Sequence, residues 1–310
     1  MRPQMIVITG PTATGKTKTG VRLAQLLGGE VVSADSMQIY RRMDIGTAKP
    51  TREEMENVPH HMLDVADPGE TYSAARYVQE AGAVVDSLLD KGVVPILVGG
   101  TGLYIDSLLA GLEFADYPAD TDLRQRLERR YAEEGGAAML EELRKVDPER
   151  AAKLYPADRK RVLRALEVYL CTGKTITQHD AESKLRPPRY TALKAALTFT
   201  DREKLYARID RRVDEMVETG LLREVESLMA ELTADGTGLQ AIGYKEIRAA
   251  LLGQCTMAEA VEAVKRESRR YAKRQLTWLR RDESVHWISW DGTPDPEGAA
   301  RQLAELYRSL

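Results

Sequence analysis

Two cysteines, Cys171 and Cys255, are all that 310 residues contain. They lie far apart, with no CxxC or Cys/His ligand spacing, which argues against a disulfide scaffold and against zinc and fits a reducing compartment. Phenylalanine is equally scarce, with two residues against 13 tyrosines, and no functional class follows from that. Long apolar runs are missing, so neither a membrane span nor a signal peptide is expected, and the cytoplasm is the expected location. A basic excess is missing too: the net charge is −3, so a nucleic-acid partner has to be held by a local patch rather than by a global field. Internal repeats and low-complexity tracts are absent as well. What the chain does have is length and 43% hydrophobic residues, enough for one large domain with an insertion or for two modest domains.

Short apolar runs alternate with helical patterns over the first hundred residues: Met5–Thr9, then Glu30–Asp35, then Val93–Val98. That alternation predicts parallel strands joined by crossover helices. The first run leads directly into Gly10-Pro11-Thr12-Ala13-Thr14-Gly15-Lys16-Thr17, and a helical pattern, Lys18–Leu27, follows. Strand, glycine loop and helix in that order make a phosphate cradle. Backbone N–H groups turn inward around an anion, the helix N-terminus adds positive potential, Lys16 brings a mobile charge, and Thr17 can ligate magnesium. The loops after the other two runs, Ser33–Ser36 and Gly99-Gly100-Thr101-Gly102, are small or polar, and sheets of this kind bind ligands at the carboxyl ends of their strands. The three loops are expected to share one cleft.

After about Phe114 the composition turns charged and helix-favouring, broken at Pro118, Gly135-Gly136, Asp147-Pro148 and Pro156. An all-helical insertion over residues 116–185 is expected, with helices Thr121–Glu134, Ala137–Val146, Glu149–Leu154 and Arg159–Thr172, closing near Arg186-Pro187-Pro188. The core then consists of residues 1–115 and 186–310. Leu193–Phe199 reads as a returning strand, Arg202–Leu232 as helix broken near Gly220, Ala258–Arg281 as a long helix, and Val285–Ile288 as an edge strand. The fold class is α/β: a P-loop kinase-like parallel sheet flanked by helices, carrying the helical insertion.

Several residues have both a chemical and an ordinary reading. Asp35, leaving the second strand beside the phosphate loop, can hold magnesium or take a proton from a nucleophile, or it can cap a turn. Thr101 can aim a hydroxyl at the same anion, or belong to a plain glycine turn. Asp64 is a second candidate for magnesium, whereas His60-His61 reads as packing or turn rather than metal site. The long C-terminal helix carries Lys265, Arg266, Arg269, Arg270, Lys273, Arg274, Arg280 and Arg281 with Tyr271 and Trp278 between them. Such a stripe suits RNA phosphates and unstacked bases, or it is a solvated face. Arg159, Lys160, Arg161 and Arg164 form a second basic cluster, and two clusters on an acidic chain favour RNA.

The phosphate loop, then Ser33-Ala34-Asp35-Ser36-Met37-Gln38-Ile39-Tyr40, Asp44–Pro50, His60–Asp64, Gly99–Tyr104, Arg164–Val168, Gln240–Glu246 and Ala272–Arg280 together resemble the tRNA dimethylallyltransferase family, in the family's order and over nearly the whole chain. The resemblance implies transfer of a dimethylallyl group from dimethylallyl diphosphate to N6 of adenine 37 beside the anticodon, with Mg2+ as cofactor and diphosphate released. Lys16, the loop amides and magnesium at Thr17 would then hold the leaving group, Asp35 would take the proton, Thr101 would orient the leaving oxygen, and Arg212, favoured over Arg208, would add a cation. The tRNA anticodon stem-loop would touch Asp35-Ser36-Met37-Gln38 and Thr101, the insertion residues Lys160-Arg161-Val162-Leu163-Arg164, then Gln240-Ala241-Ile242-Gly243-Tyr244-Lys245, and Lys273-Arg274-Gln275 with Arg280. A monomer without a membrane anchor is expected. Rival expectations are an isopentenyltransferase acting on free adenine nucleotides, a P-loop nucleotide kinase, and a non-catalytic, nucleotide-gated RNA-binding protein.

Overall fold

The computed structural model describes residues 3–112, 121–185, 187–233 and 236–310. Among the described residues, six strands form one sheet: β1 (Met5–Thr9), β2 (Glu30–Ser33), β3 (His60–His61), β4 (Pro95–Val98), β5 (Ala192–Phe199) and β6 (His286–Trp290). Their spatial order is β3-β2-β4-β1-β5-β6 and every pairing is parallel. All five residues of β1 are buried because the strand is central and covered on both faces, which is why Met5–Thr9 reads as an unbroken apolar run. The returning strand is β5, beside β1, and the aromatic run near residue 285 becomes the edge strand β6. His60-His61, read as packing or turn, is instead the short strand β3, with the His61 imidazole against Glu30 at 2.6 Å.

The helix after the phosphate loop is Lys16–Leu27, two residues longer at its start than the apolar pattern alone suggests. Glycines in the left-handed region, Gly15 and Gly28, mark its two ends. Val21, Leu23 and Ala24 pack against Ile6 and Ile8 of β1 and against Leu303 and Tyr307 of the last helix, Pro296–Ser309. Gly220 separates helices Arg202–Thr219 and Leu221–Leu228, as the break in the pattern suggested. The long basic helix is Met257–Leu279, opened by a capping box of Thr256 and Glu259.

Two compact units emerge: residues up to Gly111 together with Arg189–Leu310, and Leu112–Pro188. The expected insertion boundaries, together with Phe114, Pro118 and Arg186, lie at or beside positions outside the described residues. Within the second unit, Thr121–Val146 is interrupted at Gly135, whose φ of 85° and ψ of 160° are non-helical. The glycine pair thus divides the two expected helices. Pro148–Ala151 is shorter than the expected Glu149–Leu154, and a helix not foreseen, Ile176–Lys184, begins at a capping box of Thr175 and Gln178. Leu127, Met139, Leu140, Leu143, Val162, Leu163 and Leu166 close this unit around its own core. No helix among the described residues is long and apolar enough to cross a membrane.

Candidate active site

The carboxyl edges of β1, β2 and β4 face one cavity of about 830 Å³. Its wall includes Thr12–Lys18, Asp35–Gln38 and Gly99-Gly100, so the three loops do share a cleft. The phosphate loop is built from inside. The Thr14 hydroxyl donates to the Pro11 carbonyl at 2.8 Å and Lys16 Nζ donates to the same oxygen at 2.7 Å. It is also held from outside: Trp290 Nε1 at the end of β6 donates to the Thr14 carbonyl at 3.0 Å, Arg208 Nε to the Ala13 carbonyl at 3.1 Å, and Arg212 Nη1 to the Thr12 hydroxyl at 3.1 Å. Both arginines of helix Arg202–Thr219 therefore reach the loop, and both line the cavity. Trp290 sits 276 residues from its partner, and no local sequence signal joins the two.

Asp35 unites its two sequence readings. Its Oδ1 accepts from the Met37 amide at 2.9 Å and the Gln38 amide at 3.4 Å, the geometry of a turn cap, while the residue still lines the cavity. Its charge is felt by Lys16 and Arg212. Burial pushes the Lys16 ammonium from its ordinary 10.5 down to about 7, Arg212 pushes it the same way, and Asp35 pulls it back up. The Arg212 guanidinium is likewise lowered by burial, against the pull of Glu54 and Asp35. Thr101 accepts from the Ser36 amide at 3.0 Å and donates to the Ser36 hydroxyl at 3.3 Å, so it braces the turn that carries Asp35. Burial and the nearby Asp35 push the Tyr271 phenol, on the wall formed by the long basic helix, up to about 12. Asp64 belongs elsewhere: it pairs with Lys49 at 2.6 Å.

Lys16 makes binding of an anion proton-linked. A polyphosphate against Lys16 favours the charged ammonium, whereas the free site, with its group near 7, is largely neutral at pH 8.5. Inorganic diphosphate is therefore expected to take up a proton at Lys16 when it binds between about pH 7 and 10, and the uptake vanishes below pH 6, where the lysine is already charged. Calorimetry in buffers of different ionisation enthalpy reads this directly; the same uptake in Lys16→Met would place the proton on another group.

The candidate RNA contacts sort by burial. Val162 and Leu163 have fully buried side chains in the core of the second unit and present none to a partner, while Lys160, Arg161 and Arg164 are exposed. That cluster is less basic than it reads: Glu167 lies 3.1 Å from Arg164, Asp158 lies 3.7 Å from Arg161, and Arg159 pairs with Glu128. On Met257–Leu279, Lys265 and Arg269 turn to Asp214 and Asp210 at 2.7 and 2.5 Å, which ties the helix to Arg202–Thr219. Arg266 and Arg270 share Glu267 at 3.6 and 2.8 Å. Lys273, Arg274 and Arg280 are exposed and form no ion pair among the described residues; Arg274 also lies over the Tyr271 ring at 5.6 Å. Gln275 is buried and donates to the Gly100 carbonyl at 2.9 Å. Gln240, Ala241, Ile242, Gly243 and Lys245 line the cavity, but Tyr244 is fully buried, with its hydroxyl on Glu224 at 2.6 Å.

A parallel sheet whose first strand runs through a glycine loop into a helix, with a lysine and two arginines at that loop, defines a protein of the P-loop class, whose loop is suited to a phosphorylated ligand. Within that class the chain belongs to the IPP transferase family, whose sequence pattern matches residues 38–282. It is 47% identical to a tRNA dimethylallyltransferase of Acetivibrio thermocellus over 96% of both chains, and 46% identical to that of Geobacillus thermodenitrificans over 100% of this chain and 97% of the relative. Among solved structures it resembles a full-length tRNA isopentenylpyrophosphate transferase from Bacillus halodurans, with a TM-score of 0.73, 42% identity and coverage of 98% of this chain and 95% of that one. A eukaryotic dimethylallyltransferase captured acting on tRNA superposes with a TM-score of 0.83 at 30% identity, over 97% of this chain and 77% of that one.

Proposed function

We propose that this chain transfers the dimethylallyl group of dimethylallyl diphosphate to N6 of adenine 37, beside the anticodon of tRNA, giving N6-isopentenyladenosine and diphosphate. The observation that carries this reading is one cavity lined both by a phosphate loop with its cations and by the Asp35 carboxylate, whose charge reaches Lys16. The allylic C–O bond breaks, its electron pair leaves with the diphosphate, and N6 forms the new bond to the allylic carbon. Lys16, Arg212 and the amides of residues 12–17 stabilise the charge that gathers on the leaving oxygens. An adenine amine is a weak nucleophile because its lone pair is delocalised into the ring, and the proton it sheds passes to Asp35. Thr101, through Ser36, keeps that carboxylate's turn in place.

The Thr17 hydroxyl and the Asp35 carboxylate, both in the lining of this cavity, are hard oxygen donors of the kind Mg2+ takes alongside substrate phosphates, and an ion there would supply further charge neutralisation to the diphosphate. The anticodon stem-loop fits the exposed cations Lys273, Arg274 and Arg280 with the cavity rim at Gln240 and Lys245, its target base splayed out of the loop and into the cleft. The protein acts as a monomer in the cytoplasm.

The experiment is transfer of label from dimethylallyl diphosphate, with Mg2+, to unmodified tRNA and, separately, to AMP. Label in tRNA and none in AMP is expected. Label in AMP alone means a free-nucleotide isopentenyltransferase, and ATP-dependent phosphorylation of a nucleoside without prenyl transfer means a kinase. Removing two of the exposed cations together, Lys273→Ala with Arg274→Ala, is expected to weaken tRNA binding about tenfold or more at low salt and to flatten the slope of log K against log salt by about 2. An unchanged slope in a filter-binding titration would show that they touch no phosphate.

A further inference from the structure

The Glu224 carboxylate, on helix Leu221–Leu228, receives four hydrogen bonds. Its Oε2 accepts from the Asp44 amide at 2.9 Å and the Ile45 amide at 2.7 Å; its Oε1 accepts from the Gly46 amide at 2.9 Å and the Tyr244 hydroxyl at 2.6 Å. Three successive amides on one carboxylate fix the backbone of residues 44–46, as an anion does in a backbone nest. Gly46, Thr47 and Ala48 then continue as lining of the cavity. The chain of contacts runs further. Gln38 Nε2 donates to the Thr47 carbonyl at 3.3 Å and the Ala48 carbonyl at 3.1 Å, so the fixed loop sets the direction of the Gln38 side chain, which also lines the cavity.

We infer that Glu224 is a positioning residue for the nucleotide substrate: with Tyr244 it holds the 44–48 loop, and through that loop the Gln38 amide, as the face of the cleft that receives the base. The inference rests on the prenyl-transfer reading above and deepens it. The two halves of the cleft have separate supports. The phosphate loop hangs on Trp290, Arg208 and Arg212, none of which bonds to the 44–48 loop. Asp35 is held chiefly by the Met37 amide at 2.9 Å and by Thr101 acting on Ser36, and Gln38 adds only its backbone amide at 3.4 Å, so freeing the Gln38 side chain leaves the shorter of the two bonds to the carboxylate in place. Tyr244, which sits within the Gln240–Lys245 run expected to touch RNA, contributes here by its hydroxyl on Glu224 rather than by contact.

In Glu224→Gln an amide nitrogen replaces one of the two oxygens, so it faces either the Asp44 and Ile45 amides or the Gly46 amide and Tyr244 hydroxyl and repels N–H donors there. The KM for tRNA is expected to rise about tenfold or more while kcat and the affinity for inorganic diphosphate each change less than about threefold, because a half-buried charge-assisted contact is lost at the 44–48 loop and not at the phosphate loop. Glu224→Asp, which keeps the charge, is expected to recover most of the tRNA KM. Amide exchange at Asp44, Ile45 and Gly46 is expected to quicken in Glu224→Gln, with or without tRNA present. An unchanged tRNA KM, or equal losses of tRNA and diphosphate binding, overturns the positioning role. If the unaltered protein transfers no prenyl group, it is the functional reading that falls, and the exchange experiment still decides whether Glu224 holds the loop.

Discussion

Asp35→Asn is expected to reduce the rate of prenyl transfer about 10²- to 10⁴-fold while leaving tRNA and diphosphate binding nearly intact, since a positioned proton acceptor contributes on that scale. Asparagine is close to isosteric. Its side-chain oxygen can still accept from the Met37 and Gln38 amides, so the turn keeps its form, as the contacts of Oδ1 require. What disappears is the negative charge and the ability to bind a proton. Asp35→Ala removes the cap as well and is expected to add a binding defect to the loss of rate. The measurement is single-turnover transfer with both substrates saturating, beside a binding titration for each variant. A rate in Asp35→Asn within about fivefold of the starting protein would assign Asp35 to the turn alone. The substitution has an electrostatic echo: Asp35 helps keep Lys16 charged, so without its charge the lysine titrates lower still, and proton uptake on diphosphate binding increases at pH 7.

How far the sequence carries depends on whether a residue's partner lies close to it in the chain. The strand–loop–helix of Met5–Leu27 and the alternation of the following runs were legible because each rests on local periodicity and on glycines with fixed meanings. The turn cap at Asp35 spans three residues and was foreseen as one of two readings; the structure supplies both at once, since one carboxylate can cap a turn and face a cavity. Burial was harder. In Lys160–Arg164, helical periodicity puts Val162 and Leu163 on the face opposite the charges, a pattern available in the sequence, yet a contiguous motif reads as a contiguous contact. Likewise the basic stripe of Met257–Leu279 is uniform in sequence and divided in space, because Asp210 and Asp214, some fifty residues earlier, neutralise Lys265 and Arg269. Trp290 on Thr14 and Glu224 on residues 44–46 were out of reach, since each joins segments far apart in the chain and carries no periodic or compositional mark.

The second large effect concerns the loop's first residue. Gly10 has a φ of +133°, a region L side chains rarely adopt, and a Cβ built there would stand 2.2 Å from the Leu197 carbonyl oxygen and 3.1 Å from its amide nitrogen. The obstacle is backbone, and that backbone cannot move aside: Leu197 lies inside β5, which is paired to β1 on one side and to β6 on the other. Gly10→Ala is therefore expected to cost on the order of 3 kcal/mol or more, from overlap added to backbone strain, and to lower the melting temperature by about 5 °C. Because the relief available is for the loop itself to shift off Leu197, diphosphate affinity is expected to fall with stability, which a surface change of equal cost would not do. Gly28→Ala separates the two contributions. Its φ of +61° is also left-handed, but a Cβ there meets nothing within 4 Å, so only the strain of about 1–2 kcal/mol remains and diphosphate binding is unaffected. Equal losses in the two variants, by thermal melts and diphosphate calorimetry, would show that conformation alone matters at Gly10; a larger loss at Gly10 makes the close approach of β1's end to β5 the constraint that shapes the phosphate loop.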